Sequence, residues 1–118
     1  MPLFASEREF GDSLAEVAKA LGWHVAHFRP ARTEAGWRTA MQGDPGFIDF
    51  VLAKRGVVLC WELKMPGNKP TPAQLAWIAA LGGPSDTVRV LYPADYDWAV
   101  ERLQTLGEEV TYARPRAD

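Results

Sequence analysis

The chain has 118 residues but one cysteine, two histidines and no long apolar run, and each shortage excludes a class of protein. Cys60 alone cannot form an intramolecular disulfide or a thiolate metal site. No apolar stretch approaches the ~20 residues of a transmembrane helix, so we expect no membrane partner. Residues 1–4 lack the basic and apolar regions of a signal peptide, so we expect a cytoplasmic protein.

A general excess of positive charge is also missing, because the formal net charge is −2 at pH 7. The charge is unevenly distributed, however. Residues 29–69 carry seven basic and four acidic side chains, a net charge of +3, whereas residues 1–28 and 70–118 are both net negative. The central segment is therefore a candidate for contact with an anionic partner. Ordinary solvated surface is the alternative.

Hydrophobic periodicity and turn residues predict one α/β domain over residues 1–118, with its core at about 6–106 and a tail at 107–118. The expected order is α-β-β-β-α-β-α, a mixed central sheet flanked by helices. Residues 29–46 contain two prolines and three glycines and are predicted to form a long, largely irregular loop. The predicted helices span 7–21, 72–81 and 96–106, and the predicted strands span 23–28, 46–52, 57–64 and 88–92.

Two neighbouring predicted strands carry charged side chains inside apolar runs. Asp49 lies in the first, and Glu62 and Lys64 lie on one face of the second, because side chains alternate along a strand. A two-residue turn at Arg55-Gly56 would place Asp49 opposite Glu62, where two like charges repel. A divalent cation and a nearby lysine would compensate that repulsion. The alternative is a polar sheet face on which the lysine simply balances a carboxylate.

Two helical residues are candidates for the same site. Glu7 lies on the apolar stripe of the first helix, whose other members are Phe10, Leu14, Val17 and Leu21. Its alternative role is to compensate the helix dipole. Gln74 follows Thr71 at the spacing of a capping box, so it either caps the second helix or reaches a metal-bound water or a DNA phosphate.

These residues together match a known pattern. Gly46-Phe47-Ile48-Asp49, then Glu62-Leu63-Lys64, then Gln74, resembles the PD-(D/E)XK nuclease superfamily. Ser6-Glu7 and the segments at 22–27 and 71–77 make the chain similar to the VRR-NUC family, in particular its short stand-alone members in bacteriophages and prophages. The resemblance extends over residues 6–106. Many relatives have proline where this chain has Ile48, which we expect to alter only the entry into the strand.

The resemblance implies a restriction-endonuclease-like core and an endodeoxyribonuclease that depends on Mg²⁺ or Mn²⁺. It implies branched, flapped or Holliday-junction DNA as substrate, a homodimer, no organic cofactor, and a bacterial or phage-infected host cell. By the same resemblance, Asp49, Glu62 and the Leu63 carbonyl would hold the metal. Lys64 would be the catalytic lysine, with Glu7 and Gln74 beside it.

The basic central segment supplies candidates for DNA contacts. We expect phosphate contacts from Arg29, Arg32, Arg38 and Lys69, and stacking of a base or sugar on Trp37, for which anchoring of the loop is the alternative. The competing interpretation of the whole chain is a non-catalytic DNA-binding or interaction module on a nuclease scaffold. The complete set of acidic, lysine and glutamine residues favours the enzyme.

Overall fold

The computed structural model describes residues 4–28, 31–33, 36–38 and 42–113, with side chains described outside 31–33, 36–38 and 107–113. A four-stranded sheet and three helices form an α/β fold. A single 3₁₀ turn, Pro93–Asp95, precedes the last helix. The elements are, in order, α1 (Glu7–Ala20), β1 (His24–His27), β2 (Ala31–Thr33), β3 (Gly36–Arg38), β4 (Phe50–Lys54), β5 (Val57–Leu63), α2 (Pro72–Ala80), β6 (Val88–Leu91) and α3 (Tyr96–Ala113).

The sheet has the strand order β1-β4-β5-β6. β4 is antiparallel to both β1 and β5, whereas β5 and β6 are parallel. A parallel pair needs a crossover connection, and α2 provides it. The predicted mixed sheet with flanking helices is therefore confirmed.

Two hydrophobic clusters cover the two faces of the sheet. The larger joins one face to α1 and α3, and its largest members are Phe10, Leu14, Trp23, Phe50, Leu52, Leu59, Trp61, Leu63, Leu91 and Leu103. The smaller joins the other face to α2 through Ile48, Cys60, Ile78 and Val88. Because alternate residues of β5 enter opposite clusters, Glu62 lies on the same face as Cys60, beneath α2.

The turn between β4 and β5 has the predicted two residues. Arg55 and Gly56 both have positive φ, at 49° and 88°. This is the backbone of a type I′ turn, which matches the twist of a hairpin. The register runs from Lys54 opposite Val57 to Phe50 opposite Trp61, so the next opposed positions are Asp49 and Glu62.

The start of β4 differs from the prediction, which began the strand at residue 46. β4 begins at Phe50, because the N–H of the preceding Asp49 donates to the side-chain Oε1 of Glu62, at 3.2 Å, and not to a backbone carbonyl of a neighbouring strand. The Asp49 carbonyl still accepts from the N–H of Phe28, at 2.7 Å. β4 therefore begins directly after the residue whose N–H is bound by the carboxyl of Glu62.

Two other elements were predicted wrongly. The loop expected at 29–46 contains the short hairpin of β2 and β3, whose three-residue strands are too short to show an alternating pattern. α3 was expected to end near Leu106, but it continues through Gly107 to Ala113. One glycine costs only about 1 kcal/mol inside a helix and need not end it. Among the described residues, no helix combines the length and apolarity required to cross a membrane.

The turn geometry predicts a graded effect of substitution at Gly56. Gly56→Ala should lower the free energy of unfolding by about 1–2 kcal/mol, because a Cβ is unfavourable at φ 88°. Gly56→Asn should lose less, since asparagine tolerates positive φ. Urea unfolding of the three proteins measures the order, and equal stability of wild type and Gly56→Ala would contradict this turn.

Candidate functional site

A buried carboxyl group organises the α2 side of the sheet. Glu62 is 0% exposed and is the one charged residue among the described side chains that is buried. Its Oε1 accepts the Asp49 N–H at 3.2 Å, and its Oε2 accepts Nε2–H of Gln74 at 2.9 Å. Nζ of Lys64 lies 3.8 Å from the same Oε2. We call Asp49, Glu62, Lys64 and Gln74 the Glu62 cluster.

The Glu62 cluster changes the protonation of its central residue. Burial raises the pKa of Glu62 to about 9, assisted by a hydrogen bond between its carboxyl and that of Asp49 and by the negative charge of Asp49. The positive charge of Lys64 and the Asp49 N–H act in the opposite direction. Without a cation, the carboxyl of Glu62 is therefore predominantly protonated at neutral pH.

Glu7 belongs to the electrostatic surroundings of this cluster. It is the first residue of α1 and is exposed. Partial desolvation raises the pKa of the Glu7 carboxyl, Asp49 raises that pKa further, and Lys64 lowers it. The helix-borne carboxylate is therefore within electrostatic range of Asp49 and Lys64.

The side-chain amide of Gln74 caps α2, as one of the two expected roles required, and it also contacts Glu62, whereas a contact with a metal-bound water or a DNA phosphate stays a prediction. The side-chain Oε1 of Gln74 accepts the Thr71 backbone N–H at 2.9 Å, and the backbone N–H of Gln74 donates to Oγ1 of Thr71 at 3.2 Å, which completes a capping box. The Nε2 end of the same amide is free to donate to Glu62. The capping box at the start of α2 thus fixes the position of the Gln74 Nε2–H, which donates to the buried carboxyl of Glu62.

Two residues that support the cluster were not identified from the sequence in this role. Gly46 has φ +86°, and a Cβ there would lie 2.7 Å from the carbonyl carbon and Cβ of Ala73. Nε1 of Trp77 donates to the carbonyls of Pro45 and Asp44, at 3.1 and 3.3 Å. Both contacts fasten the segment before Asp49 to α2. The sequence contains no signal for them beyond the glycine itself, because the contacts are distant along the chain.

The expected DNA-binding residues are only partly described. Arg29 lies outside the described residues. Arg32, Trp37 and Arg38 lie in the β2–β3 hairpin, with Arg32 opposite Trp37, but their side chains are outside the description. Lys69 is exposed in the loop that connects β5 to α2. Only Lys69 can therefore be related to the Glu62 cluster.

Asp49 and Glu62 form a pair of acidic residues at the site. Within the described ranges, no three histidine, cysteine, aspartate or glutamate side chains are grouped closely enough to hold a metal ion. Asp49 and Glu62 nevertheless offer hard carboxylate oxygens at adjacent, opposed positions of the β4–β5 hairpin. Mg²⁺ commonly uses one or two carboxylates and completes its shell with water and phosphate oxygens. The donor set therefore fits such an ion, while a role for the Leu63 carbonyl stays a prediction.

Comparison of the chain with protein-family models, with curated proteins and with solved structures finds no match. The resemblance to a nuclease family therefore rests on the residues quoted above. Membership in that family stays a prediction.

The raised pKa of Glu62 predicts an unusual pH dependence of stability. Between its ordinary value of 4.5 and about 9, the folded chain binds more protons at Glu62 than the unfolded chain does. In metal-free buffer, stability should therefore fall as pH rises through this range, by up to about 1.4 kcal/mol per pH unit. Glu62→Gln, which stays neutral, should remove most of this slope in urea unfolding. Glu16→Gln on the exposed side of α1 is the control, and parallel profiles for wild type and Glu62→Gln would contradict the assignment.

The close approach of Gly46 to α2 predicts a large cost for a methyl group there. Gly46→Ala should lower the free energy of unfolding by roughly 1–3 kcal/mol more than Gly67→Ala does. The two glycines share nearly the same φ, +86° and +89°, but a Cβ at Gly67 would meet nothing within 4 Å. The difference between the variants thus isolates the contact from the backbone strain. Equal losses in chemical unfolding would show that Gly46 does not fasten the segment to α2.

Proposed function

We propose that this chain is a metal-dependent endodeoxyribonuclease of the VRR-NUC type, with a PD-(D/E)XK core, that hydrolyses DNA phosphodiester bonds. The observation that carries the proposal is the buried carboxyl of Glu62, hydrogen-bonded to Asp49 and 3.8 Å from the ammonium of Lys64. A fold gains nothing in stability by placing two carboxyls together under a helix, so such an arrangement favours a functional role.

Asp49 and Glu62 are the residues that would hold Mg²⁺ or Mn²⁺. A bound divalent cation supplies Lewis-acid polarisation of a phosphate and a more acidic water. Glu62 is fixed by hydrogen bonds to both of its oxygens, whereas Asp49 is half-buried and retains access to solvent. Asp49 is therefore the ligand that faces substrate and water in this proposal.

Lys64 supplies positive charge beside the two carboxylates. Its side chain is 16% exposed, so it lies between the buried oxygen of Glu62 and the solvent. From there the ammonium can donate to a phosphate oxygen or orient the attacking water, and it stabilises charge that develops in the transition state. Gln74 keeps Glu62 in place through its Nε2–H, and Glu7 adds negative charge near Asp49 and Lys64.

DNA is the partner proposed for this site. The basic segment at 29–69 surrounds the two acidic residues in sequence, and Lys69 is an exposed cation on the loop that follows Lys64. Basic side chains of this kind bind the phosphate backbone with little dependence on sequence. Preference for branched, flapped or junction DNA and assembly as a homodimer stay predictions from the resemblance.

The second candidate function is a DNA-binding or interaction module without catalysis. The site argues against it through Lys64, because a module that only binds DNA has no need for an ammonium next to a buried carboxyl pair. Glu62 with Gln74 would suffice to connect β5 to α2. The two functions differ in one observable. A nuclease breaks DNA strands when Mg²⁺ is present, whereas a binding module leaves the strands intact.

Substitution of the cluster tests the proposal. Wild type should nick DNA in Mg²⁺ or Mn²⁺, and Asp49→Asn or Lys64→Ala should lower the rate by at least about 10²-fold, the usual effect of removing a group that acts in the transition state. Nicking is measured on a panel of duplex, single-stranded, flap and four-way-junction substrates. Lys19→Ala, an exposed lysine in the last turn of α1, is the matched control and should cleave like wild type.

The same variants separate catalysis from folding. Circular dichroism and the midpoint of thermal unfolding should stay close to wild type for Lys64→Ala, because its ammonium makes one long ion pair with Glu62. Metal-dependent nicking that survives in both Asp49→Asn and Lys64→Ala would refute the proposed site. Metal-dependent binding without any strand cleavage by wild type would favour the non-catalytic module.

A further inference from the structure

A pocket opens between the loop that follows β5 and the residues that follow β6. It has a volume of about 400 Å³ and is lined by Pro66, Gly67, Asn68, Lys69, Tyr92 and Ala94. The first four belong to the loop that follows β5, and the last two follow β6. The pocket therefore lies where the two parallel strands end, within the size range of sites for small organic groups.

The strand register places Tyr92 next to Lys64. Leu63 and Leu91 are the last paired residues of β5 and β6, and the Lys64 N–H donates to the Leu91 carbonyl at 2.9 Å. Lys64 and Tyr92 are thus the next residues on strands about 4.8 Å apart. Tyr92 retains extended backbone, at φ −111° and ψ 163°.

Tyr92 also lies on the same face of the sheet as the Glu62 cluster. Val88 and Val90 contribute to the hydrophobic cluster beneath α2, and alternation along the extended chain gives Tyr92 the same face. Its phenol donates to the Asn68 carbonyl at 2.9 Å, which fixes the ring against the loop. The Tyr92 ring therefore follows the strand next to that of Lys64, the proposed catalytic lysine, and its hydrogen bond to Asn68 fixes its position.

The residues that line the pocket suit the base of a nucleotide, with a positive charge for its phosphate. Tyr92, Pro66 and Ala94 give the lining of the pocket apolar surface on which a base can stack, and Lys69 adds a positive charge to that lining. Base stacking on an aromatic side chain tolerates any sequence because every base has a π face. The Asn68 side chain offers an amide to the edge of a base.

We propose that this pocket binds the base of a nucleotide adjacent to the scissile phosphate, with Tyr92 as the stacking residue and Lys69 as the phosphate contact. The proposal rests on the nuclease function proposed above and specifies its substrate. A base stacked inside a duplex cannot enter the pocket, so the pocket selects DNA in which the nucleotide beside the cut is unpaired.

An abasic scan tests this assignment without cleavage. Short labelled single strands, each with one nucleotide replaced by an abasic sugar, are titrated with protein in Ca²⁺ and followed by fluorescence anisotropy. Removal of the base that occupies the pocket should weaken wild-type binding roughly ten-fold or more, whereas removal of other bases should have a small effect.

Three variants test whether Tyr92 stacks on that base, and two lysine variants test the phosphate contact. Tyr92→Ala should abolish the sensitivity to the abasic position, and Tyr92→Phe should preserve it because the ring remains. Ala94→Leu, at an exposed position, should also abolish it by filling the pocket, and this variant keeps the test valid if Tyr92→Ala fails to fold. Lys69→Ala should lower the slope of log K against log salt concentration by about one, because one phosphate contact is lost. Lys19→Ala should leave that slope unchanged.

The outcomes separate this pocket from the nuclease proposal. Cleavage by wild type in Mg²⁺, together with an abasic profile that is flat or unchanged in Tyr92→Ala and Ala94→Leu, overturns the pocket and leaves the nuclease standing. A Tyr92-dependent profile without cleavage keeps the nucleotide site and overturns the nuclease. Failure of wild type to bind DNA overturns both.

Discussion

The side chain of Glu62 has no exposure to solvent, and a carboxyl in that position requires partners on every side. It obtains them from three directions: the backbone N–H of Asp49, the amide of Gln74 and the ammonium of Lys64. Burial raises the pKa of Glu62 to about 9, and the neighbouring carboxyl of Asp49 contributes to that rise. A divalent cation bound between the two carboxylates would relieve the repulsion between them.

Backbone geometry far from the charges holds this arrangement. The Arg55-Gly56 turn sets the register that brings Asp49 opposite Glu62. The absence of a side chain at Gly46 lets the segment before Asp49 approach α2, which carries Gln74. A change of one residue in the hairpin register would move Glu62 relative to Asp49, so the candidate site depends on both glycines as much as on the charged groups.

The register and the helix cap were predictable because each depends on local chemistry. A two-residue turn containing glycine, the alternation of β5 and the spacing of Thr71 and Gln74 are all visible in the sequence. The contacts of Gly46 with Ala73 and of Trp77 with Pro45 were not predictable, since they form only after α2 packs on the sheet. Tyr92 was missed for the same reason: its position beside Lys64 follows from the parallel pairing of β5 with β6, which strand patterns alone do not reveal.

The central claim is that Asp49 and Glu62 together form a site for a divalent cation beside Lys64. Anomalous diffraction from a crystal soaked in Mn²⁺ tests it most directly, because it locates the ion without reference to any activity. The account predicts one strong peak between the Asp49 and Glu62 carboxylates, lost when Asp49 is replaced by Asn. Manganese bound only elsewhere on the molecule, or no bound manganese in crystals that diffract well, would contradict it.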